Sequence, residues 1–386
     1  MNILFLEWAC FGKVDVVFTL EQQGHHLFFF EHPDYLRRIS HDFETAFDSY
    51  VEEHQIDLCF SFNFYPVLSS ASKKHNLKYI SIVYDSPFVM LYSYTIINDN
   101  NYVFLFDRQE YTKLRNMGIS TVYYMPLPVN ATIIDHLLNK EYDHEKLSAE
   151  VSFVGALYHE DHDFFAKLNG ISDYTKGFLD GLMNAQLKIS GYNFIEELLP
   201  KEVVNDIKQI VKYDNSKYGI ETTEYILAHY FINRRLTAIE RRELLTAAAS
   251  HASLRLYTLD KNAIIPCAQN MGAVDYYSEM PYVFHNSKIN LNITLRSIQS
   301  GIPLRCMDIM GAGGLLLTNF QADFLDYFIP DVDFVYYTDA KDLTNKIDYY
   351  LEHEDKRREI AQNGHCKVKE NHSFEQCFET IFKIVL

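Results

Sequence analysis

Short runs of apolar residues recur along the first 130 or so residues, separated by helical stretches, and that rhythm leaves the chain few folds to choose from. The runs are NILFLEW, HLFFFE, IDLCFSFN, KYISIVYD, YVFLFD and TVYYMPLP. They are short and nearly continuous in apolar residues, as strands buried on both faces are. Between them, VVFTLEQQGHH reads as a helix stopping near Gly24, and His41–His54 as an amphipathic surface helix. A parallel sheet with helices on both faces satisfies this order.

The strand rhythm restarts at EVSFVGALY and continues through SLRLYTL, VDYYSE, KINLNIT, GGLLLTN and DFVYYTD. From about His162 to Ser250 no strand-like run occurs, and KGFLDGLMNAQ, EVVNDIKQIV, TTEYILAHYFINRRL and IERRELLTAAAS carry 3.6-residue periodicity. The polar stretch 131–149 reads as a linker. A length of 386 residues suits two cores. The expected fold is therefore α/β with two facing Rossmann-like domains. Residues 1–145 form the first and 146–372 the second, with a helical insertion at about 162–250. Residues 373–386 form a helix free to cross back to the first domain.

The net charge of −17, with no dense Lys/Arg run, argues against nucleic-acid partners and against docking on anionic lipid. The 28 Tyr and 28 Phe fill cores for the most part, and some tyrosines suit sites that grip sugars or nucleobases. Six scattered cysteines without a CxxC pair indicate neither zinc nor a disulfide framework, and fit free thiols in a cytoplasmic protein. The start, MNILFLEWACFG, lacks a basic region and reads as a buried strand, and no segment is long and uncharged enough to span a bilayer. His159 and His162 lack the spacing of a metal pair with a third ligand, so no metal site is expected.

Ligands of doubly wound sheets bind beyond the carboxyl ends of the strands, so the residues there are the candidates. Gly12, after the first strand, permits close backbone approach and opens a helix whose N–H groups can meet an anion, or is a plain turn glycine. Asp85, after the fourth, reads either as the group that orients or deprotonates an acceptor hydroxyl or as a turn cap. Asp107 and Arg108 stand in the same layer and read as partners of each other. The densest constellation runs from Ser287 to Asn319, with Lys288, Asn292 and Arg296 leading to Ser300–Gly301–Ile302–Pro303. A helix entered there, with Pro at its first position, offers an anion site. Arg305 and Asp308 then share one helix face, and a carboxylate at 308 suits the two hydroxyls of a ribose. Gly311, Gly313 and Gly314 read as the helix stop.

The block SKINLNITLRSIQSGIPLRCMDIMGAGGLLLTNF, with DFVYYTDAKDLTNKIDYYLEHEDKRREIAQNG after it, resembles the CgeB-type spore-maturation family. Members of that family look like group 1 glycosyltransferases of the GT-B fold. FSFNFYP, YDSP, NYVFLFDR, YYMPLPVN, SFVGALY and AQLKISGYNFIEELL resemble the uncharacterised domain that precedes it, and the likeness spans nearly the whole chain. The resemblance implies a hexosyltransferase-like enzyme needing no metal or cofactor. A nucleoside-diphosphate sugar, a UDP-sugar above all, would bind the second domain, and an unidentified acceptor the first. It places Asp308 on the acid that contacts the ribose, Arg305 on the Arg of an Arg-x-x-acid pattern, Gly301 on the phosphate-side glycine and Lys288 near the phosphates. Two departures stand out. Ser300 occupies the first position of the family's two-acid pattern, and SFVGALY lacks the Arg and Lys that often follow that strand. Two other readings share the fold: a nucleotide-sugar epimerase, and a non-catalytic sugar-nucleotide-binding or spore-assembly protein.

Overall fold

The computed structural model describes residues 1–158, 164–211 and 216–386. It divides into two compact units. The first comprises Met1–Leu127, Asp214–Thr222 and Phe374–Leu386, and the second Pro128–Tyr213 and Thr223–Ser373. The stretch expected to be a linker contains the helix Ala131–Leu138, inside the second unit. Asn130 Oδ1 caps that helix by accepting from Ile133 N at 3.1 Å.

The first unit is built on six parallel strands: β1 (Asn2–Leu6), β2 (His26–Phe30), β3 (Leu58–Phe62), β4 (Lys78–Val83), β5 (Asn101–Leu105) and β6 (Val122–Tyr124). Their order is β2-β1-β3-β4-β5-β6, so the direction of winding reverses between β1 and β3. β3 is buried at every residue and β4 at all but its first, and their sequences accordingly show no polar alternation. The helix Phe374–Val385 belongs to this unit. It sets the Phe378 ring 5.6 Å from Phe60 and the Phe382 ring 5.2 Å from His25, and its Val385 carbonyl accepts from Lys78 Nζ at 2.6 Å.

The short segment ending at Thr222 is pinned into the same unit. Ile220 N donates to Tyr92 O at 2.7 Å, and Arg38 Nη1 to Glu221 Oε2 at 2.9 Å, with both side chains nearly buried. Gly219 lies against that ion pair so closely that a Cβ would sit 1.7 Å from Arg38 Nη1.

The second unit holds β7 (Val151–Val154), β8 (Leu254–Tyr257), β9 (Gln269–Asn270), β10 (Ile289–Asn292), β11 (Leu316–Asn319) and β12 (Val335–Tyr337), all parallel. The order β12-β11-β10-β7-β8-β9 reverses between β7 and β10. Alternate residues feed two cores. Ile289, Leu291, Leu317 and Val335 meet Leu244, Leu245, Leu343 and Ile347 from the helices Asn233–His251 and Ala340–Glu352. Leu316 and Tyr257 meet Phe284, Met307, Met310 and Val368 from the helices Met280–Asn286, Leu304–Gly311 and Glu354–Asn371.

Between β7 and β8 lie the helices Asp173–Gln186, Ile195–Leu198 and Lys201–Val211, then a run whose π-helical turn Leu227–Ile232 leads into Asn233–His251. VDYYSE is not a strand. Asp275 Oδ1 accepts from the backbone N of Tyr277 and Ser278 at 3.1 and 2.8 Å, which closes the segment into a turn feeding the helix Met280–Asn286.

Candidate functional site

In the second unit the carboxyl edge of the sheet is assembled by the loop that leaves β10. Asn292, the last residue of β10, is buried, and its Nδ2 donates to Thr294 Oγ1 and Thr318 Oγ1, each at 3.0 Å. Its side chain ties the ends of β10 and β11 together, so it shapes the loop rather than reaching a ligand. Arg296 follows. Its backbone N donates to Thr237 Oγ1 at 2.9 Å, and its guanidinium grips Glu240 at 2.8 and 2.6 Å and Ile189 O at 3.0 Å. One residue on, Ser297 Oγ donates to His229 O, in the π-helical turn, at 3.0 Å. The loop is thus stapled by Arg296 and Ser297 to Thr237, Glu240, Ile189 and His229 of the helical insertion. A small cleft opens here, lined by Gly191, Asn193, Glu240, Arg296, Asn319 and Phe320 among others.

Gly301 lies buried in the same loop, just before the helix. Pro303 is the extended N-cap of the helix Leu304–Gly311 rather than its first helical residue, so Ile302 and Pro303 lead into the helix from outside it. Arg305 and Asp308 do share a face, and Asp308 is 5% exposed. Tyr276 donates its hydroxyl to Asp308 Oδ1 at 3.0 Å, and Arg305 Nη1 stands 3.4 Å from Oδ2. Burial pushes the Asp308 carboxyl up to about 6, and Arg305 and the Tyr276 hydrogen bond offset only part of that. A carboxyl poised near neutrality, beside a phenol and a guanidinium, is equipped to accept hydroxyl hydrogen bonds once ionised.

Lys288 needs correcting. It precedes β10, at the amino end of the strand, and pairs with Glu150 at 3.1 Å. There it lines a cleft with Arg357 and Arg358 on the sheet edge opposite the carboxyl ends, which excludes it from a site at those ends. His159 and His162 lie outside the described residues. Among the described residues no group of three His, Cys, Asp or Glu side chains is placed to hold a metal ion.

In the first unit, Gly12 has φ +83 and caps the helix Lys13–Gln22. A Cβ there would lie 2.8 Å from the Phe62 ring, so both conformation and space call for glycine. Asp85, exposed after β4, is held by Asn63, a residue that sequence reasoning missed. Asn63 Nδ2 donates to Asp85 Oδ2 at 2.7 Å, while Asn63 Oδ1 accepts from the backbone N of Tyr84 and Asp85 at 3.2 and 3.3 Å. Asp85 also lines a shallow pocket with Ser86, Phe88, Phe106, Asp107 and Glu110. Asp107 caps the helix Arg108–Asn116 through Gln109 N at 3.0 Å, and the Arg108 guanidinium stacks 4.1 Å over Tyr124.

Sequence reasoning also missed Tyr276, because VDYYSE reads as a strand, and Glu240, which sits in an evenly periodic helix with nothing to single it out. No local signal announces either, since each matters through a partner distant in sequence: Asp308 for Tyr276 and Arg296 for Glu240.

Residues 232–383 match the family described as Glycosyl transferase-like. No curated protein matches the chain by sequence. Solved structures match its fold. A glycosyltransferase from Rickettsia africae has a TM-score of 0.51 at 13% identity, with 100% of this chain and 97% of that one covered. Anabaena HepE in complex with UDP-glucose scores 0.52 at 11% identity, with both chains covered fully. An α-glucosyltransferase in complex with UDP and a 13-mer DNA scores 0.52 at 10% identity, covering 100% of this chain and 99% of that one. The chain therefore has the GT-B fold, two six-stranded parallel sheets with flanking helices, and its residues 232–383 are similar to glycosyl transferases.

Proposed function

We propose that the chain is a glycosyltransferase of the CgeB type that moves a hexosyl group from a UDP-sugar to an acceptor hydroxyl. The observation that carries this reading is the buried Asp308 held between half-buried Arg305, on the helix entered from the Gly301 loop, and Tyr276, within the segment similar to glycosyl transferases. In this reading the ionised Asp308 accepts from the ribose hydroxyls, and Arg305 with the Gly301 loop faces the diphosphate. The bond between the sugar's anomeric carbon and the diphosphate oxygen breaks, and the acceptor oxygen bonds to that carbon. The acceptor's proton passes to a base, for which Asp85, aimed by Asn63, is the candidate. Positive charge and helix N–H groups stabilise the departing diphosphate, which is why we propose a reaction that proceeds without a divalent ion.

The UDP and UDP-glucose held by structures of this fold support the choice of donor. One of those structures holds DNA, but a net charge of −17 speaks for a non-nucleic acceptor here. Six free thiols suit the cytoplasm as its place of work. The test is thermal denaturation with UDP and a panel of nucleoside-diphosphate sugars, with and without EDTA. UDP at 100 times its Kd is expected to add about 2.7 kcal/mol of stability, and Asp308→Ala to abolish the shift. If no such ligand raises the Tm at millimolar concentration, the reading is wrong.

A further inference from the structure

Arg241 sits inside the helix Asn233–His251 with 8% of its surface exposed. Each hydrogen bond the guanidinium donates goes to a main-chain carbonyl: Nε and Nη2 to Ile293 at 3.1 and 2.6 Å, and Nη1 to Ala156. The Phe153 and Tyr158 rings pack 5.2 and 4.8 Å from it. The carboxylate next to it in sequence, Glu240, is committed to Arg296. Burial lowers the pKa of Arg241, and the nearby Tyr158 and Glu240 offset part of that. A guanidinium stays protonated all the same. It is thus a positive charge taken out of water and given carbonyl dipoles but, among the described residues, no carboxylate in ion-pair contact, which is costly to keep.

Its position explains the arrangement. Ala156 follows β7 and Ile293 follows β10, and these paired neighbours flank the point where the winding of the second sheet reverses. Crevices beyond the carboxyl ends at such a point are where doubly wound sheets take their ligands. The stretch Gly155–Tyr158 after β7 has no Lys or Arg of its own, and Arg241 of the helix Asn233–His251 is the cation bonded to it.

We propose that Arg241 is a phosphate-binding residue whose counter-ion is the diphosphate of the sugar donor, received by its remaining N–H groups at the switch point between β7 and β10. This rests on the donor reading above. It adds a cation that the sequence motifs do not mark, and it makes diphosphate binding depend on the helical insertion.

Inorganic pyrophosphate, UDP and uridine are titrated calorimetrically into the full chain, as wild type, Arg241→Lys and Arg241→Met, with circular dichroism and Tm recorded for each. Arg241→Met should weaken pyrophosphate and UDP about 100-fold and Arg241→Lys about 10-fold, because an ammonium does not reproduce the fork. Uridine should bind all three alike. If Arg241→Met does not fold, Arg241→Lys decides: a lowered Tm with wild-type pyrophosphate affinity means a structural role and overturns the proposal. UDP and pyrophosphate bound equally by wild type and variants also overturn it, while leaving the donor reading intact. Pyrophosphate bound by wild type and weakened in Arg241→Lys, with no nucleotide bound, supports the anion site and sinks the donor reading. Wild type binding neither ligand overturns both.

Discussion

Asp308→Asn separates the electrostatics of the candidate site from its shape. The amide keeps an oxygen for the Tyr276 hydroxyl and the volume of the carboxyl, and removes the charge. The carboxyl's pKa rises from an ordinary 3.8 to about 6 on folding, chiefly through burial. A carboxyl with a raised native pKa holds its proton longer in the folded state, so folding loses stability as pH climbs from 3.8 towards 6, and above that the loss is constant. The gap corresponds to about 3 kcal/mol in all, of which about 2 kcal/mol falls between about pH 4.5 and about pH 7.5. Urea denaturation of both proteins at those two pH values should show Asp308→Asn gaining about 2 kcal/mol on the wild type at the higher one. A difference that does not change with pH would refute the argument that burial loads this carboxyl. The ionised form is the one that accepts hydroxyl hydrogen bonds, so wild-type affinity for uridine, which has no phosphate to titrate, should rise through about pH 6, and that of the variant should not.

Gly12→Ala should cost about 1–3 kcal/mol in the denaturation of the first unit, since it meets both a positive φ and the Phe62 ring. Phe378→Ala removes a buried ring from the face of the first sheet and should cost about 3–5 kcal/mol by the same measurement. Lys288→Ala should leave UDP affinity unchanged in calorimetry and alter stability by less than about 1 kcal/mol, because its partner Glu150 is an exposed one at the opposite sheet edge.

The strands of the first sheet were legible because each leaves a short run rich in apolar residues, and the central β3, LCFSF, is buried on both faces. VDYYSE offers strand-favouring Val274, Tyr276 and Tyr277, yet the Asp275 carboxylate captures two backbone N–H groups and turns the chain, a local competition that periodicity does not register. ATIIDHLL hides a helix behind the polar residues that follow it, and the cap at Asn130 is the mark that was there to be read. Of the candidate site, the Arg305–Asp308 pair was legible from its spacing, because three residues on a helix fix a shared face. Lys288 was misread although its place was legible: it stands at the head of KINLNIT, and the residue that leads into a strand lies at its amino end. Asn63, Tyr276 and Arg241 act across tens of residues, on Asp85, Asp308, and Ala156 with Ile293 respectively, and nothing local to them records those partners.

The chain passes from one unit to the other four times, after Leu127, Tyr213, Thr222 and Ser373. During synthesis the six strands of the first sheet emerge early, but the Arg38–Glu221 pin and the Phe378 side chain arrive only after much of the second unit has been made. The first unit therefore cannot be cut out as one continuous fragment. A nascent chain must hold an apolar sheet face uncovered until residue 374 onward appears, which makes the earliest part of this protein the last to be finished.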